Sequence, residues 1–150
     1  MECEVRVARE SDAADISAVI LQALRESNTR DYGPDIIRRV EPSFSPSAVL
    51  KLIGKRTVFV ATIADRIVGT ASLDGEVVRT VFVAPHVQGR GVGRRLMAEV
   101  ELAAQKNGVK SLTVPSSLTA EVFYSRLGFK AVRDSYHGEE RTIIMERALT

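Results

Sequence analysis

The chain has 150 residues and a mass of 16.4 kDa, so we expect a single domain over residues 1–150. Hydrophobic residues make up 45% and charged residues 27%, which is the composition of a globular protein rather than of a disordered one. The net charge is only +2, so neither nucleic acid nor a membrane surface is an expected partner. Cys3 is the single cysteine, which excludes an intrachain disulfide framework and a thiolate metal cluster, and we expect no metal.

The location expected from the sequence is the cytoplasm. No apolar segment approaches the roughly 20 residues that a membrane span needs. The first residues include early acidic side chains and lack the basic and then apolar layout of a secretory signal peptide.

The first third of the chain predicts one strand and several helices. Val5 and Val7 alternate with charged residues, which favours a short half-buried strand. Ser11 or Asp12 then caps a helix. One face of that helix carries an apolar stripe, formed by Ile16, Val19, Ile20, Ala23 and Leu24. Glycine and prolines interrupt residues 28–46, where a short helix near 36–40 and a second helix from Ser45-Pro46 to Gly54 are predicted.

The middle of the chain predicts three β-strands, over residues 57–64, 67–73 and 76–84. A turn at Asp65-Arg66 separates the first two, and the tight-turn pair Asp74-Gly75 separates the second and third. Each connection is too short for a crossover helix, so we expect antiparallel pairing.

The second half predicts alternating helices and strands. A helix over 91–107 places Val92, Leu96, Val100 and Ala104 on one face. A strand over 110–114, a helix over 118–127 and strands over 129–132 and 142–147 follow. Because a strand, a long helix and another strand succeed one another, we expect one parallel pair. The sum is an α/β fold with a mixed sheet of six or seven strands and helices on its faces.

The turn between the third strand of the middle region and the long helix contains three glycines, Gly89, Gly91 and Gly93. Backbone N–H groups at a helix start are unpaired, and small residues let an anion approach them closely. Three cations flank the same turn: Arg90, Arg94 and Arg95. In the first turn of a helix each cation costs a few tenths to about 1 kcal/mol, unless a polyanion neutralises the cluster. The pattern favours a phosphate or pyrophosphate ligand over a plain turn with solvated arginines.

The spacing of these glycines narrows the choice of ligand. It is neither the Gly-x-Gly-x-x-Gly dinucleotide fingerprint nor a P-loop ending in Gly-Lys-Ser/Thr. Nicotinamide chemistry and nucleotide hydrolysis are therefore disfavoured, while coenzyme A, which also carries a pyrophosphate, remains open.

Two segments resemble a known family. Gln88-Gly89-Arg90-Gly91-Val92-Gly93 resembles the Gln/Arg-x-x-Gly-x-Gly/Ala signature of the GNAT superfamily of N-acetyltransferases. Downstream, Phe123-Tyr124 followed by Gly128-Phe129 is similar to the family's Phe-Tyr-x-x-x-Gly-Phe helix and turn. The resemblance covers nearly the whole chain in the expected order. It implies a GNAT-like, mostly antiparallel sheet of six or seven strands with about four helices, and a splayed parallel strand pair that binds acetyl-coenzyme A.

The resemblance also implies roles for individual residues. Backbone groups of Val81, Phe82 and Val83 would bind the acetyl group and the pantetheine arm. The pyrophosphate would be held by Gln88, Gly89, Arg90, Gly91, Val92, Gly93 and Arg94. Ser117, which stands where many members have Asn, would contact the arm or a bound water. Tyr124 would lie near the thioester sulfur as the general acid for the departing thiolate.

The general base and the acceptor site remain open at this point. Candidate bases are Glu76, Glu121, His86 and His137, and Glu76 would need a bulge in its strand to turn inward. The helices before residue 55 and the loop over 135–141 would frame the acceptor. Candidate wall residues and amine partners there are Tyr32, Phe44, Asp31 and Asp35.

The function expected is direct transfer of an acetyl group from acetyl-coenzyme A to a primary amine of a small molecule or peptide. Such a transfer needs a neutral amine, a polarised carbonyl and a protonated leaving group. An N–H near Val83 is the candidate oxyanion donor, and a tyrosine pKa near 10 is close enough to a thiol's roughly 8.5 for Tyr124 to act as the acid. The alternative is a non-catalytic acyl-coenzyme A-binding module. A homodimer formed at a sheet edge is compatible with either.

Overall fold

The computed structural model describes residues 2–149, which form seven β-strands and five α-helices. The strands are β1 (Cys3–Val7), β2 (Thr57–Ile63), β3 (Arg66–Asp74), β4 (Val77–Val83), β5 (Ser111–Ser116), β6 (Lys130–His137) and β7 (Glu140–Ala148). The helices are α1 (Ala13–Glu26), α2 (Pro34–Val40), α3 (Pro46–Lys55), α4 (Val92–Lys106) and α5 (Glu121–Arg126). Short 3₁₀ turns connect several of them.

All seven strands belong to one sheet with the order β1-β2-β3-β4-β5-β7-β6. Neighbouring strands are antiparallel except β4 and β5, which are parallel because α4 carries the chain back between them. The predicted mixed, mostly antiparallel sheet and its one parallel pair are confirmed. The described residues contain five α-helices, where about four were expected.

Helix ends follow the predicted capping residues at α3 but not at α5. The Ser45 hydroxyl accepts a hydrogen bond from the Ala48 N–H at 3.2 Å, and Pro46 occupies the first turn of α3. The Ser117 hydroxyl also accepts a hydrogen bond, from the Ala120 N–H at 3.2 Å. That bond closes a separate turn, so α5 begins at Glu121 rather than at residue 118 as predicted.

Helices cover both faces of the sheet. Alternate residues of β2 pack against the helices of one face and of the other. Val58 and Val60 pack in the cluster with α1, α2 and α3, whereas Phe59 and Ala61 pack in the cluster with α4. The predicted apolar faces of α1 and α4 are all buried, which confirms the helical periodicity. Within residues 2–149 no helix has both the length and the apolarity to cross a bilayer.

A β-bulge interrupts β4. Thr70 of β3 lies opposite Phe82, but Ser72 lies opposite Arg79, so β4 contains one extra residue between these pairs. Thr80 occupies the extra position with a φ of 56°, a left-handed conformation that β-branched residues rarely adopt. The bulge changes the alternation of the strand: Val78 packs in the α4 cluster, as Val81 and Val83 do, while Phe82 points to the opposite cluster.

An ion pair joins β1 to the start of α1. The Asp12 carboxylate accepts hydrogen bonds from Arg6 Nη1 at 2.8 Å, from Arg6 Nη2 at 3.1 Å and from the Arg9 N–H at 2.7 Å. The expected side-chain cap on the amides of α1 is therefore wrong, because the carboxylate faces the residues that precede the helix. Asp12 is only 8% exposed, and its hydrogen bonds with Arg6 hold its pKa below the ordinary value.

Replacing this carboxylate should make stability depend less on pH. Asp12→Asn should lower the free energy of unfolding by about 1–3 kcal/mol at neutral pH, because Arg6 loses its charged partner in a buried place. Since the folded pKa lies below the unfolded one, the wild-type advantage is complete above the unfolded value near 4 and is lost as the pH falls through the folded pKa. Urea titrations of both proteins over a pH series measure this difference.

The control is Asp35→Asn, which removes an exposed ion pair with Arg38. This change should alter the unfolding free energy by no more than about 0.5 kcal/mol. A difference between wild type and Asp12→Asn that stayed constant down to acidic pH would contradict the assignment.

Candidate active site

The two parallel strands separate soon after they meet. The ladder between β4 and β5 consists of the pairing of Val77 with Thr113, next to a 3.0 Å hydrogen bond from the Thr113 N–H to the Glu76 carbonyl. Beyond this point β4 pairs with β3 on one side and leaves its other edge free of β5. Pro115 of β5 has no N–H to donate across the gap. A cavity of about 950 Å³ occupies the opening.

Nearly all the residues that the family resemblance selected surround this one cavity. Those that line it are Val81, Phe82, Val83, Gln88, Gly89, Gly91, Val92, Gly93, Arg94, Ser117 and Tyr124. Arg90 is the exception, since it is exposed in the turn and is not part of the lining.

The three glycines of the turn serve two different purposes. Gly89 and Gly91 have φ values of 81° and 83° with open space around them, so it is the left-handed backbone that requires glycine there. Gly91 is the N-cap of α4, whose first N–H groups have no partner within the helix. Gly93 has an ordinary helical backbone, but a Cβ there would lie 3.0 Å from two ring carbons of Phe123.

The side chain of Gln88 fixes the turn to its surroundings. Its amide nitrogen donates to the Val83 carbonyl at 3.1 Å and to the Ser27 hydroxyl at 3.0 Å. These bonds hold the end of β4 and the end of α1 together at the mouth of the cavity. The Gln88 side chain is thus engaged in positioning the turn. An anion would therefore be bound by the backbone N–H groups of the turn rather than by this side chain.

Tyr124 lies on α5 in an aromatic cluster. Its ring packs edge-to-face on Phe123 and Phe129, with ring centroids 5.1 and 5.6 Å apart. The residue is 4% exposed, and burial raises the pKa of its hydroxyl well above the ordinary value of 10. The hydroxyl has no hydrogen-bond partner among residues 2–149. Tyr124 therefore brings a protonated phenol to the set of residues that line the cavity.

Tyr32 connects three separate parts of the chain at the other side of the cavity. Its hydroxyl donates to the Arg141 carbonyl at 2.8 Å and accepts from the Leu118 N–H at 2.8 Å. Burial raises the pKa of Tyr32, and the nearby charge of Glu140 adds to the rise. The loop after α1, the turn before α5 and the start of β7 are thereby held around the cavity.

The candidate acceptor residues divide into two groups. Tyr32, Phe44 and His137 line the cavity, and Phe44 packs edge-to-face on Phe82 with centroids 5.7 Å apart. The other sequence candidates are not part of its lining: Asp31, Asp35, Glu76, His86 and Glu121. The bulge that would turn Glu76 inward exists at Thr80, but Glu76 itself is exposed before β4 begins.

Among the lining residues that were not selected from the sequence are Arg56, Thr80 and Glu140. Arg56 follows α3, Thr80 forms the bulge, and Glu140 begins β7. Glu140 is the one carboxylate among the described lining residues. No sequence signal separates these side chains from the many other charged and polar residues of the surface. Within residues 2–149 there is no group of three or more His, Cys, Asp or Glu side chains placed to hold a metal ion.

The packing of Gly93 predicts opposite effects for two helical glycines. Gly54→Ala in α3 adds a methyl group to open space and should stabilise the protein by about 0.5–1 kcal/mol, because alanine favours a helix. Gly93→Ala in α4 forces the ring of Phe123 to move, which costs about 1–3 kcal/mol and should give a net loss of stability. Chemical unfolding of both variants measures the contrast, and an equal gain in both would contradict it.

The bridging hydroxyl of Tyr32 predicts a loss of stability on its removal. Tyr32→Phe keeps the ring but leaves the Leu118 N–H and the Arg141 carbonyl without their partner, and should lower the unfolding free energy by about 1–3 kcal/mol. Hydrogen exchange should speed up at the amide of Leu118. Unchanged exchange at that amide would show that the hydrogen bond is not made in solution.

The chain is similar in sequence to known proteins. A family profile described as "Acetyltransferase (GNAT) domain" matches residues 28–145. The uncharacterized N-acetyltransferase YafP of Escherichia coli K12 is 26% identical over 130 residues, which cover 87% of this chain and 83% of that protein.

Two solved structures are similar to this fold. A GCN5-related N-acetyltransferase of Rhodopseudomonas palustris has a TM-score of 0.93 at 24% identity and covers 99% of this chain and 97% of its own. The PaiA N-acetyltransferase of Thermoplasma acidophilum was solved in complex with coenzyme A. It has a TM-score of 0.85 at 18% identity, and the match covers 99% of this chain and 100% of that protein. The family profile spans most of the sequence and the fold agrees with it, so the chain belongs to the GNAT family of acetyltransferases.

Proposed function

We propose that this protein transfers the acetyl group of acetyl-coenzyme A directly to a primary amine of a small molecule or peptide. The observation that carries the proposal is one continuous cavity, bordered by the glycine turn, by the free edge of β4 and by Tyr124. The Thermoplasma relative of the same fold was solved with coenzyme A, which supports the choice of co-substrate.

The co-substrate fits the cavity by its chemistry. The backbone N–H groups that follow Gly89 and open α4, together with Arg94, suit a pyrophosphate. Along Val81, Phe82 and Val83 the strand edge is free of β5, so its amide groups suit the pantetheine arm, which is itself built of amides. Ser117 also lines the cavity, and because its hydroxyl accepts one bond, from the Ala120 N–H, it keeps its O–H donor and a second lone pair for the arm or a bound water.

Acetyl transfer to an amine requires a proton to reach the sulfur. The amine nitrogen forms a bond to the carbonyl carbon, the carbon–sulfur bond breaks, and the thiolate takes up a proton while the new amide loses one. The Tyr124 hydroxyl is protonated at neutral pH, as any tyrosine is, and is available as the donor, but burial raises its pKa and so makes it a weaker acid than an exposed tyrosine. An N–H on the strand near Val83 is the proposed donor to the carbonyl oxygen.

The proton that leaves the amine needs an acceptor only for strongly basic amines. An α-amino group with a pKa near 8 is partly neutral at physiological pH, whereas a lysine amine near 10.4 is almost wholly protonated. Glu140 and His137, at the two sides of the β6–β7 turn, line the cavity and are the proposed acceptors of this proton. Their position suits an amine that enters between that turn and the helices before residue 55.

The direct test is release of coenzyme A thiol from acetyl-coenzyme A in the presence of an amine panel. Amino acids, polyamines, aminoglycosides and peptides cover α-amines and side-chain amines, and the wild-type protein should show amine-dependent release. Tyr124→Phe should lower kcat by about 100-fold or more, because the departing thiolate loses its acid. Its affinity for acetyl-coenzyme A, measured by calorimetry, should stay close to that of the wild type.

The matched control is Tyr136→Phe, which removes a hydroxyl from a side chain 61% exposed on β6 and should leave kcat unchanged. Full turnover of Tyr124→Phe would remove the acid role of Tyr124. Binding of acetyl-coenzyme A without any transfer would favour the alternative, a non-catalytic acyl-coenzyme A-binding module. Failure to bind acetyl-coenzyme A would overturn the assignment of the glycine turn.

A further inference from the structure

Arg56 brings a guanidinium to the cavity wall at the junction of α3 and β2. Its Nη1 donates to the Thr80 hydroxyl at 3.1 Å and to the Ser72 hydroxyl at 3.4 Å. The Ser72 hydroxyl in turn donates to the Arg79 carbonyl at 2.7 Å. The guanidinium is therefore held against the bulge of β4 by neutral groups, and the hydrogen bonds recorded for it come from Nη1 alone.

The charge of Arg56 has no partner among the residues that the structure describes. None of the ion pairs in residues 2–149 includes it, whereas the neighbouring Arg79 is paired with Asp74 at 3.3 Å. Burial lowers the pKa of Arg56, the charge of Arg79 lowers it further, and the charge of Asp74 raises it. Because Asp74 is already paired with Arg79, Arg56 has no ion-pair partner of its own, and a half-buried cation in this position favours an anion in the cavity.

The phosphates of coenzyme A are the wrong anion for this position. Arg56 donates to Thr80 of β4. From there β4 runs to Val83 and then into the glycine turn, which is the proposed binding site of the pyrophosphate. Thr80 and Val83 are about 10 Å apart along the strand. Since the phosphates and the thioester lie at opposite ends of the pantetheine arm, Arg56 stands at the thioester end, where the acceptor must arrive.

We propose, on the basis of the transferase function above, that Arg56 binds a carboxylate of the acceptor, so that the preferred acceptor is an amine that also carries a carboxylate. The free Nε and Nη2 groups of a guanidinium match the two oxygens of a carboxylate. Glu140 supplies the opposite charge in the same cavity, near the hydroxyl of Tyr32. The cavity wall therefore carries a group of complementary charge for the carboxylate and for the ammonium of such an acceptor.

The test compares acceptors that carry the same side chain and amine next to a carboxylate, an amide or a phosphonate. They are supplied with acetyl-coenzyme A, and kcat/KM, expressed per neutral amine because the amide lowers the pKa of the amine, is measured by thiol release. The wild-type protein should prefer a carboxylate acceptor over its amide by about 10- to 100-fold, the size expected for a charge-assisted hydrogen-bonded pair. Arg56→Gln should abolish this preference, and Arg56→Lys should restore part of it.

The ratio between the two acceptor series separates binding of the carboxylate from a structural role. If Arg56 only supported the bulge, Arg56→Gln would lower kcat/KM for acids and amides equally. The control Arg66→Gln, which removes an exposed arginine of β3 outside the cavity lining, should keep the wild-type ratio.

Several results would overturn the inference. Among them are an equal kcat/KM for acids and amides in the wild type, an equal loss for both series in Arg56→Gln, and a preference for the phosphonates over the carboxylates. If the protein acetylated amines without a carboxylate and did not acetylate amino acids, the transferase function would stand and the role of Arg56 would be overturned. Absence of transfer to any amine would contradict the transferase function, and the inference that rests on it would fall with it.

Discussion

The structure depends on one constraint, which is that two parallel strands meet at a single pairing and then part. Parallel neighbours require a crossover connection, and here the crossover is α4, which must begin where β4 ends. The unpaired N–H groups of the helix start and the free edge of the strand are therefore at the same opening. In the proposed function this opening takes the amides of the pantetheine arm and the phosphates, and it exists because, within residues 2–149, β4 and β5 pair only through Val77 and Thr113.

The bulge at Thr80 makes the slot possible at the cost of backbone strain. A β-branched residue in the left-handed region costs about 1–3 kcal/mol and persists only where its surroundings hold it. The hydrogen bond from Arg56 to the Thr80 hydroxyl and the resumed pairing of Phe82 with Thr70 are such surroundings. Because the extra residue reverses the alternation, Phe82 faces the helices that precede β2, while Val81 and Val83 face α4.

Periodicity and turn chemistry account for what the sequence predicts well. The α4 face, the antiparallel strands and the glycine turn are local patterns, and each of the three glycines has a reason in its own φ value or in a close neighbour. The bulge, the inward position of Arg56 and the start of α5 could not be predicted. They depend on contacts between distant segments, and neither Thr80 nor Arg56 differs locally from an ordinary strand or surface residue.

The net charge of the chain conceals how charge is distributed in the cavity. A value of +2 argues against non-specific attraction of polyanions, yet the described lining residues include four arginines and a single carboxylate. These residues are Arg56, Arg79, Arg94, Arg126 and Glu140. Arg94 belongs to the glycine turn and Arg79 is paired with Asp74, so a cofactor that neutralised the turn would leave Arg126 of α5 and Arg56 without an ion-pair partner among the described residues. Selection of the acceptor by charge would then fall to the one end of the cavity that the cofactor's phosphates do not reach.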